Sequence, residues 1–366
     1  MKKKKLKRIT VKVGTRVLTD KNNSLVRKVI RDLSRQVSDL MDRKIEVILV
    51  SSGAITAGLG LLKSQKRGKS LSEIQAAASI GQSRLMHIYN TCFTRRGYKA
   101  GQILLTQEDF NDRARFLNIS QTLNALFKCS GVPIINENDS VATEEIKCGD
   151  NDRLSSLVAD LSDSDMLIIL TDVQGLYDQN GVLIKRVESV TPEIKALSRG
   201  KGCDESSGGM STKLEAMETA AQAGIQGIIA KGRRKNVLID IVQGLDVGTR
   251  FESREKPLKA KKRWIAFSLK ARGAIIVDEG AARALVDKQK SLLPSGIKEA
   301  HGKFRAGDVV EILDGNKKII ARGLTNYSAD EIEKIKGQKC DTIEKQLGYK
   351  DYDEVVHRDN LVVINI

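Results

Sequence analysis

The stretch Val132–Leu161, VPIINENDSVATEEIKCGDNDRLSSLVADL, decides how the chain folds. Its opening, VPIINEND, reads as a strand; its close, continued as RLSSLVADLSDS, reads as a helix; DMLIILTDVQGLY, directly after, is a second and more apolar strand. Between strand and helix, Glu137, Asp139, Glu144, Glu145, Asp150 and Asp152 gather around Asn136 and Asn151. A solvated acidic loop is the commonest meaning of such a cluster. The alternative is a site for a small polar substrate and a metal-bound nucleotide, built at the end of a buried strand. The same unit extends toward the N-terminus. RITVKVGTRVL, IEVILVSSGAI and YKAGQILLT read as strands, separated by the helical segments LVRKVIRDLSRQVSDLMDRK, SEIQAAASIGQSRLMHIYNTCFTRRG and FLNISQTLNALFKCSG. Single helices between strands predict an α/β fold with a central, mostly parallel sheet between helices. In such sheets ligands collect beyond the carboxyl ends of the strands, which gathers the turns at Gly14, SSGAI, NEND and LTD.

Beyond AGIQGIIAKGRRKNVLIDIVQGLDVGTRFE the texture changes. SREKPLKAKKRW is a basic connector, and GAIIVDEG and GDVVEILDGNKKIIARGLTNYS are short strands with glycine turns. The expected division is a catalytic domain over 1–255, a basic linker over 256–272, and a small β-rich domain with the C-terminal tail over 273–366. The 62 Lys and Arg outnumber the 46 Asp and Glu, a formal net charge of +16, so nucleic acid, nucleotides and acidic metabolites are all admissible partners. MKKKKLKR is not followed by the unbroken apolar core of a signal peptide. No stretch approaches the ~20 apolar residues of a membrane span. Five scattered cysteines, Cys92, Cys129, Cys148, Cys203 and Cys340, form no C-x-x-C pair, which fits a reducing cytoplasm. His87, His301 and His357 lie far apart, giving little support to a histidine zinc site or triad; no metal-ligand set is assigned.

Several residues can carry chemistry. Lys12 lies inside the first strand beside Gly14 and Thr15. A strand lysine usually sits at an edge or on a solvated face, but one that ends in a small-residue turn can reach phosphates held by the turn. KVGT is not a Walker motif. Ser51, Ser52 and Gly53 end an apolar strand before an Ala- and Gly-rich helix, suited either to anions or to tight packing. Asn136 and Asp139 can hold an α-ammonium group. Asp150 and Asn151 sit where they can cap the next helix, and Asp152 falls in its first turn, where a buried carboxylate would orient a lysine. Thr171 and Asp172 close the most apolar strand. Gly208, Gly209, Met210, Ser211, Thr212 and Lys213 form a glycine loop opening a helix with an early lysine, the arrangement terminal phosphates require; a loop capped by Ser211 is the plainer reading.

Together VKVGTRVLT, VSSGAITAG, GQILLTQEDFNDRARFLN, VPIINENDSVATEEIKCGDNDRLS, LTDVQGLY and GGMSTKLEAM resemble, in order, the amino-acid kinase family. SLLPSGIKEAHGKFRAGDVVEI resembles the PUA domain that many members carry. The resemblance implies ATP with Mg²⁺, and phosphorylation of the side-chain carboxylate of L-glutamate to L-glutamyl 5-phosphate, the first step of proline biosynthesis, in the cytoplasm. It gives Lys12 and Lys213 to the transferring phosphoryl group and Asp152 to holding them. Ser52, Gly53, Asn136, Asp139, Asp150 and Asn151 fall to the amino acid. Lys12, Gly14, Thr171, Asp172 and the loop Gly208, Gly209, Met210, Ser211, Thr212, Lys213 fall to the nucleotide. L-proline as feedback inhibitor, acting with QEDFNDRARFLN, a homo-oligomer, and handover to a glutamyl phosphate reductase are further implications. Two departures stand out: Arg16 in GTRVL, and SSGGM where relatives often have GTGGM. Competing readings are a kinase for another carboxylate or carbamate, and an RNA-binding protein. The net charge and the PUA-like segment favour RNA; an aromatic content of 4% leaves few platforms for stacking bases.

Overall fold

The computed structural model describes residues 6–62, 70–141, 150–199, 209–253, 265 and 271–364. Glu144, Glu145, Cys148, Cys203, Gly208, the N-terminal lysines and most of the basic connector lie outside the described residues, as does the side chain of Asp150. The chain forms two compact units, Met1–Pro257 and Leu258–Ile366.

The first unit opens with β1 (Arg8–Val13), α1 (Thr15–Leu18), α2 (Arg27–Asp42), β2 (Glu46–Ser51), α3 (Ala54–Leu61) and α4 (Leu71–Thr94). It continues through β3 (Lys99–Leu105), α5 (Gln107–Asn111), α6 (Arg113–Lys128), β4 (Gly131–Glu137), α7 (Asp150–Leu161) and β5 (Met166–Thr171). It closes with β6 (Arg186–Val187), α8 (Pro192–Ala196), α9 (Met210–Gln222), β7 (Gln226–Lys231), α10 (Val237–Gln243) and β8 (Thr249–Phe251). The eight strands lie in the order β3-β4-β2-β1-β5-β7-β8-β6. All neighbours are parallel except β7 and β8.

Strand alternation distributes the side chains between two cores. Ile9, Val11 and Val13 of β1, with Ile168 and Leu170 of β5, pack on one face against Leu33 and Val37 of α2, Leu85 and Tyr89 of α4, and Leu238 of α10. Leu167 and Ile169 of β5 face the other way, onto Ala159 of α7 and Leu214, Met217 and Ala220 of α9. In α2 the apolar positions Ile30, Leu33, Val37 and Leu40 recur at helical spacing and are buried, so a stripe rather than propensity holds the helix to the sheet. The run MLIILT of β5 is buried throughout, as a strand covered on both faces must be. β1 is central. Its even-numbered residues, Thr10 and Lys12, are therefore buried toward the α7 side.

Strand order reverses around β1. The chain passes from β1 to β2 on one side, adds β4 and β3 beyond, then crosses back to place β5 on the other side of β1. This is the switch point at which open α/β sheets leave a crevice at their carboxyl ends.

In the second unit, β9 (Gly273–Val277), α11 (Glu279–Val286), β10 (Ile297–Gly302), β11 (Val309–Leu313), β12 (Ile319–Leu324), α12 (Ala329–Ile335), α13 (Ile343–Leu347) and β13 (Leu361–Val363) surround a separate core. Its sheet runs β10-β9-β11-β12-β13. No helix among the described residues of either unit is long and apolar enough to cross a membrane.

Candidate active site

Asp152, fully buried in the first turn of α7, binds two lysines brought from distant parts of the chain. Its Oδ1 lies 2.6 Å from Lys12 Nζ and its Oδ2 lies 3.1 Å from Lys213 Nζ. The Thr212 hydroxyl donates to the same Oδ2 at 2.8 Å. Each partner has a local cause. Strand alternation turns Lys12 onto the α7 face, and α9, whose N-cap is Gly209, places Thr212 and Lys213 in its first turn. Lys12 is 6% and Lys213 7% exposed, so their ammonium groups are near the surface of the crevice but shielded from bulk water.

The electrostatics follow from that burial. Desolvation pushes the Lys12 pKa below its ordinary value, helped by repulsion from Lys213 and opposed by Asp152. For Asp152 burial is the largest single influence and acts upward, yet the two lysines and the hydrogen bonds from Lys12 and Thr212 together outweigh it, and its carboxyl is held below the usual range. The result is two cations on one anion. Among the described residues, Asp152 is the carboxylate that both lysines contact.

Beside the triad runs a chain of amides. Asn151 Nδ2 donates to Ser52 Oγ at 3.2 Å and to Asn136 Oδ1 at 2.9 Å. Asn136 Nδ2 in turn donates to Gln82 Oε1 at 2.9 Å. Ser52 follows β2, Asn136 ends β4, Asn151 opens α7 and Gln82 belongs to α4, so four elements converge. Two buried atoms of this chain, Asn151 Oδ1 and Gln82 Nε2, have no hydrogen-bond partner among the described residues. Buried polar atoms are ordinarily satisfied, and one acceptor and one donor left open at a strand-end crevice are suited to a small zwitterion. Asp139 lies half-buried in the turn after β4. Gly53 caps α3 at a φ of 101°, in the left-handed region that a side chain would strain.

On the opposite flank, Thr171 Oγ1 donates to Asp172 Oδ1 at 3.0 Å, and Arg16 lies 3.3 Å from Asp172 Oδ2. A Cβ at Gly14 would sit 3.2 Å from the Leu170 carbonyl and 3.9 Å from Lys12 Nζ, so glycine keeps the space over the lysine open. At Gly209 a Cβ would meet nothing within 4 Å among the described residues. Met210 is half-buried against the α9 core, and Ser211 bonds Glu215 rather than capping the helix.

Three local expectations differ in detail. The Gly14 N–H is committed to Leu170 O at 3.0 Å, so Gly14 provides space rather than a donor. Asn151 lies inside α7, and its amide reaches across the site to Ser52 and Asn136. Lys12 occupies neither an edge nor a solvated face, because β1 is the middle of the sheet. Gln82 was not singled out from sequence. Its signal is there, however: Ala78, Leu85, Tyr89 and Phe93 form the buried stripe of α4, and a glutamine on that stripe breaks the apolar pattern.

The model of the amino acid kinase family matches residues 7–231, and that of the PUA domain residues 273–347. A glutamate 5-kinase of Thermoanaerobacter sp. (strain X514) is 47% identical over 363 residues, covering 98% of each chain. That of Caldanaerobacter subterraneus subsp. tengcongensis is 48% identical over 363 residues, again 98% of each. That of Moorella thermoacetica is 45% identical over 364 residues, 98% of this chain and 96% of its own.

Proposed function

Because the chain belongs to the amino acid kinase family, we propose that it transfers the γ-phosphoryl group of ATP to the side-chain carboxylate of L-glutamate, yielding L-glutamyl 5-phosphate and ADP. The name carried by its relatives along nearly their whole length supports the acceptor, and implies the first step of proline biosynthesis. The observation that carries the chemistry is the buried pairing of one carboxylate with two lysines at the carboxyl ends of β1 and β5.

A glutamate side chain, with a solution pKa near ~4.3, is ionised at neutral pH and needs no general base. An oxygen of that carboxylate forms a bond to the γ-phosphorus as the bond from phosphorus to the β,γ-bridging oxygen breaks, and the electron pair leaves with ADP; no proton moves. The obstacle is the approach of two anions, so positioning and charge neutralisation dominate. Lys12 and Lys213 supply that neutralisation. Asp152 is a positioning residue: both its oxygens are committed to lysines, and its lowered pKa makes it a poor base. Mg²⁺ would enter with the nucleotide as part of the substrate and would supply further neutralisation of its phosphates. Among the described residues no group of three His, Cys, Asp or Glu side chains offers it a cage.

Ser52, Gly53, Asn136, Asp139, Asp150 and Asn151 hold the amino acid in this reading, joined by Gln82. Gly14, Thr171, Asp172 and the segment Gly208–Lys213 hold the nucleotide. A cytoplasmic homo-oligomer restrained by L-proline and delivering its labile acyl phosphate to a reductase completes the proposal. The test is ADP release from Mg-ATP in the presence of hydroxylamine, with L-glutamate, D-glutamate, aspartate and N-acetylglutamate as acceptors. Hydroxamate formed selectively with L-glutamate is expected; preference for another acceptor would reassign the amide chain.

A further inference from the structure

A cleft of about 760 Å³ lies on the sheet face opposite the Lys12–Asp152–Lys213 cluster, between α2, the end of α4 and the turn after β7. Among the described residues, seven cationic side chains line it against a single carboxylate, Asp32. That carboxylate is occupied, since Arg35 lies 2.9 Å from it and also bonds Asp39, which pairs in turn with Arg96. The charges of Lys28, Arg31, Arg95 and Lys235 are met by no carboxylate in any ion pair among the described residues. Arg233 is held by neutral groups: its Nε donates to Val17 O at 3.1 Å, and its Nη2 to Arg16 O at 3.1 Å and Thr19 O at 2.6 Å. Its position is thus fixed, and no carboxylate among the described residues forms an ion pair with it. The floor is apolar, formed by Val29, Leu33 and Cys92. Arg31 and Arg95 approach from two different helices and both act on the Cys92 thiol, opposing the upward push of burial.

Five cations crowding one cleft repel each other in the absence of a counter-charge, and concave basic surfaces focus potential on an incoming anion. Guanidinium groups recognise phosphate through paired N–H donors. The volume falls in the range of small-molecule sites. We infer that this cleft binds a small organic anion carrying two or more phosphate groups, its phosphates on Arg31, Arg95, Arg233 and the flanking lysines and its less polar body on the Val29–Leu33–Cys92 floor. The site is separate from the crevice, because α2, α4 and α10 cover one face of the sheet while α7 and α9 cover the other.

The probe is inorganic tripolyphosphate without Mg²⁺, titrated calorimetrically into the full-length chain, with hydrogen exchange followed in the same samples. Wild type is expected to bind one equivalent more than Arg31→Ala/Arg95→Ala, or to bind that equivalent roughly tenfold or more tightly, the scale of lost charge-assisted hydrogen bonds. The difference should shrink as salt rises, and Arg31→Lys/Arg95→Lys should restore part of it. Protection should appear at residues 27–35 and 232–236. Turnover of the alanine variant should match wild type, since neither arginine touches the reacting groups. Identical isotherms for wild type and the alanine variant, or protection confined to residues 209–213, overturn the inference. So does capture of a poly-glutamate peptide by a cleft that ignores tripolyphosphate, which would make the surface a protein contact instead.

Discussion

At the scale of single residues, Asp152 determines most of what can be measured. Replacing it with Asn strips both lysines of their counter-charge inside a buried cluster, which should cost roughly 3–5 kcal/mol of stability, read from denaturant unfolding. Lys213→Ala leaves Asp152 with Lys12 and Thr212, so the fold should survive while kcat drops by roughly 10²–10³, the usual loss of one charge-stabilising donor. Near-normal turnover in that variant would remove Lys213 from the chemistry. The lowered pKa of Lys12 predicts an alkaline limb in kcat below pH 10.5. In that window the folded protein has already released a proton that the unfolded chain still holds, so stability rises with pH even as the charge needed for transfer is lost. Lys12→Arg should move the limb upward, and a limb that stays in place belongs to another group. The slope has the same sign for Asp152, in a window at acidic rather than alkaline pH. Its depressed pKa contributes stability that is present above its ordinary carboxylate value and is lost as pH falls through the lower folded value. Gln82→Ala should raise KM for the amino acid with little change in kcat, because it deletes an open donor of the amide chain rather than a group on the phosphoryl path. Lys12, Asp152, Lys213, Asn136 and Asn151 were legible as candidates from residue type and spacing. Gln82 was not, because a lone glutamine inside an Ala-rich helix gives no sign of which strand end it will face.

Among elements, the closest approach is that of α3 to α4. A Cβ at Gly58 would fall 1.8 Å from the Ala77 carbonyl oxygen, and one at Gly81 the same distance from that of Ala54. Backbone meets backbone on both sides, so neither contact can be relieved by a side-chain rotation. This crossing seats Gln82, one residue beyond Gly81, against Asn136. Gly81→Ala should therefore separate the helices, costing roughly 1–3 kcal/mol as an overpacked contact and raising KM for the amino acid at the same time. A thermal melt and a glutamate titration check the two effects together; loss of stability with unchanged KM would disconnect the crossing from the site. The order of strands and helices was readable from periodicity along the first unit. The role of single positions was less so: Asn151 lies within α7, where its side chain links Ser52 and Asn136.

For the whole molecule, two units with separate apolar cores imply that the segment ending at Pro257 folds alone. Expressed by itself, it should unfold in one cooperative transition and retain glutamate-dependent ADP release, as measured against the full chain; an insoluble or inactive segment would mean that the second unit is needed for folding. The formal charge of +16 says that anions are welcome but not where they bind. Three-dimensional placement divides that charge into two lysines on a buried carboxylate and a separate group of arginines and lysines on the far face of the sheet. What the sequence by itself determined is the alternation of strand and helix, the glycine turns that close the strands, and the residue types capable of phosphoryl transfer, because each follows from local periodicity and chemistry. Only the tertiary structure decided that β1 is central, that Lys12 and Lys213, 201 positions apart in the numbering, share Asp152, and that Gln82 completes the amide chain. Those facts depend on strand order and on which face each alternating side chain takes, and both are fixed by packing between segments that no local pattern connects.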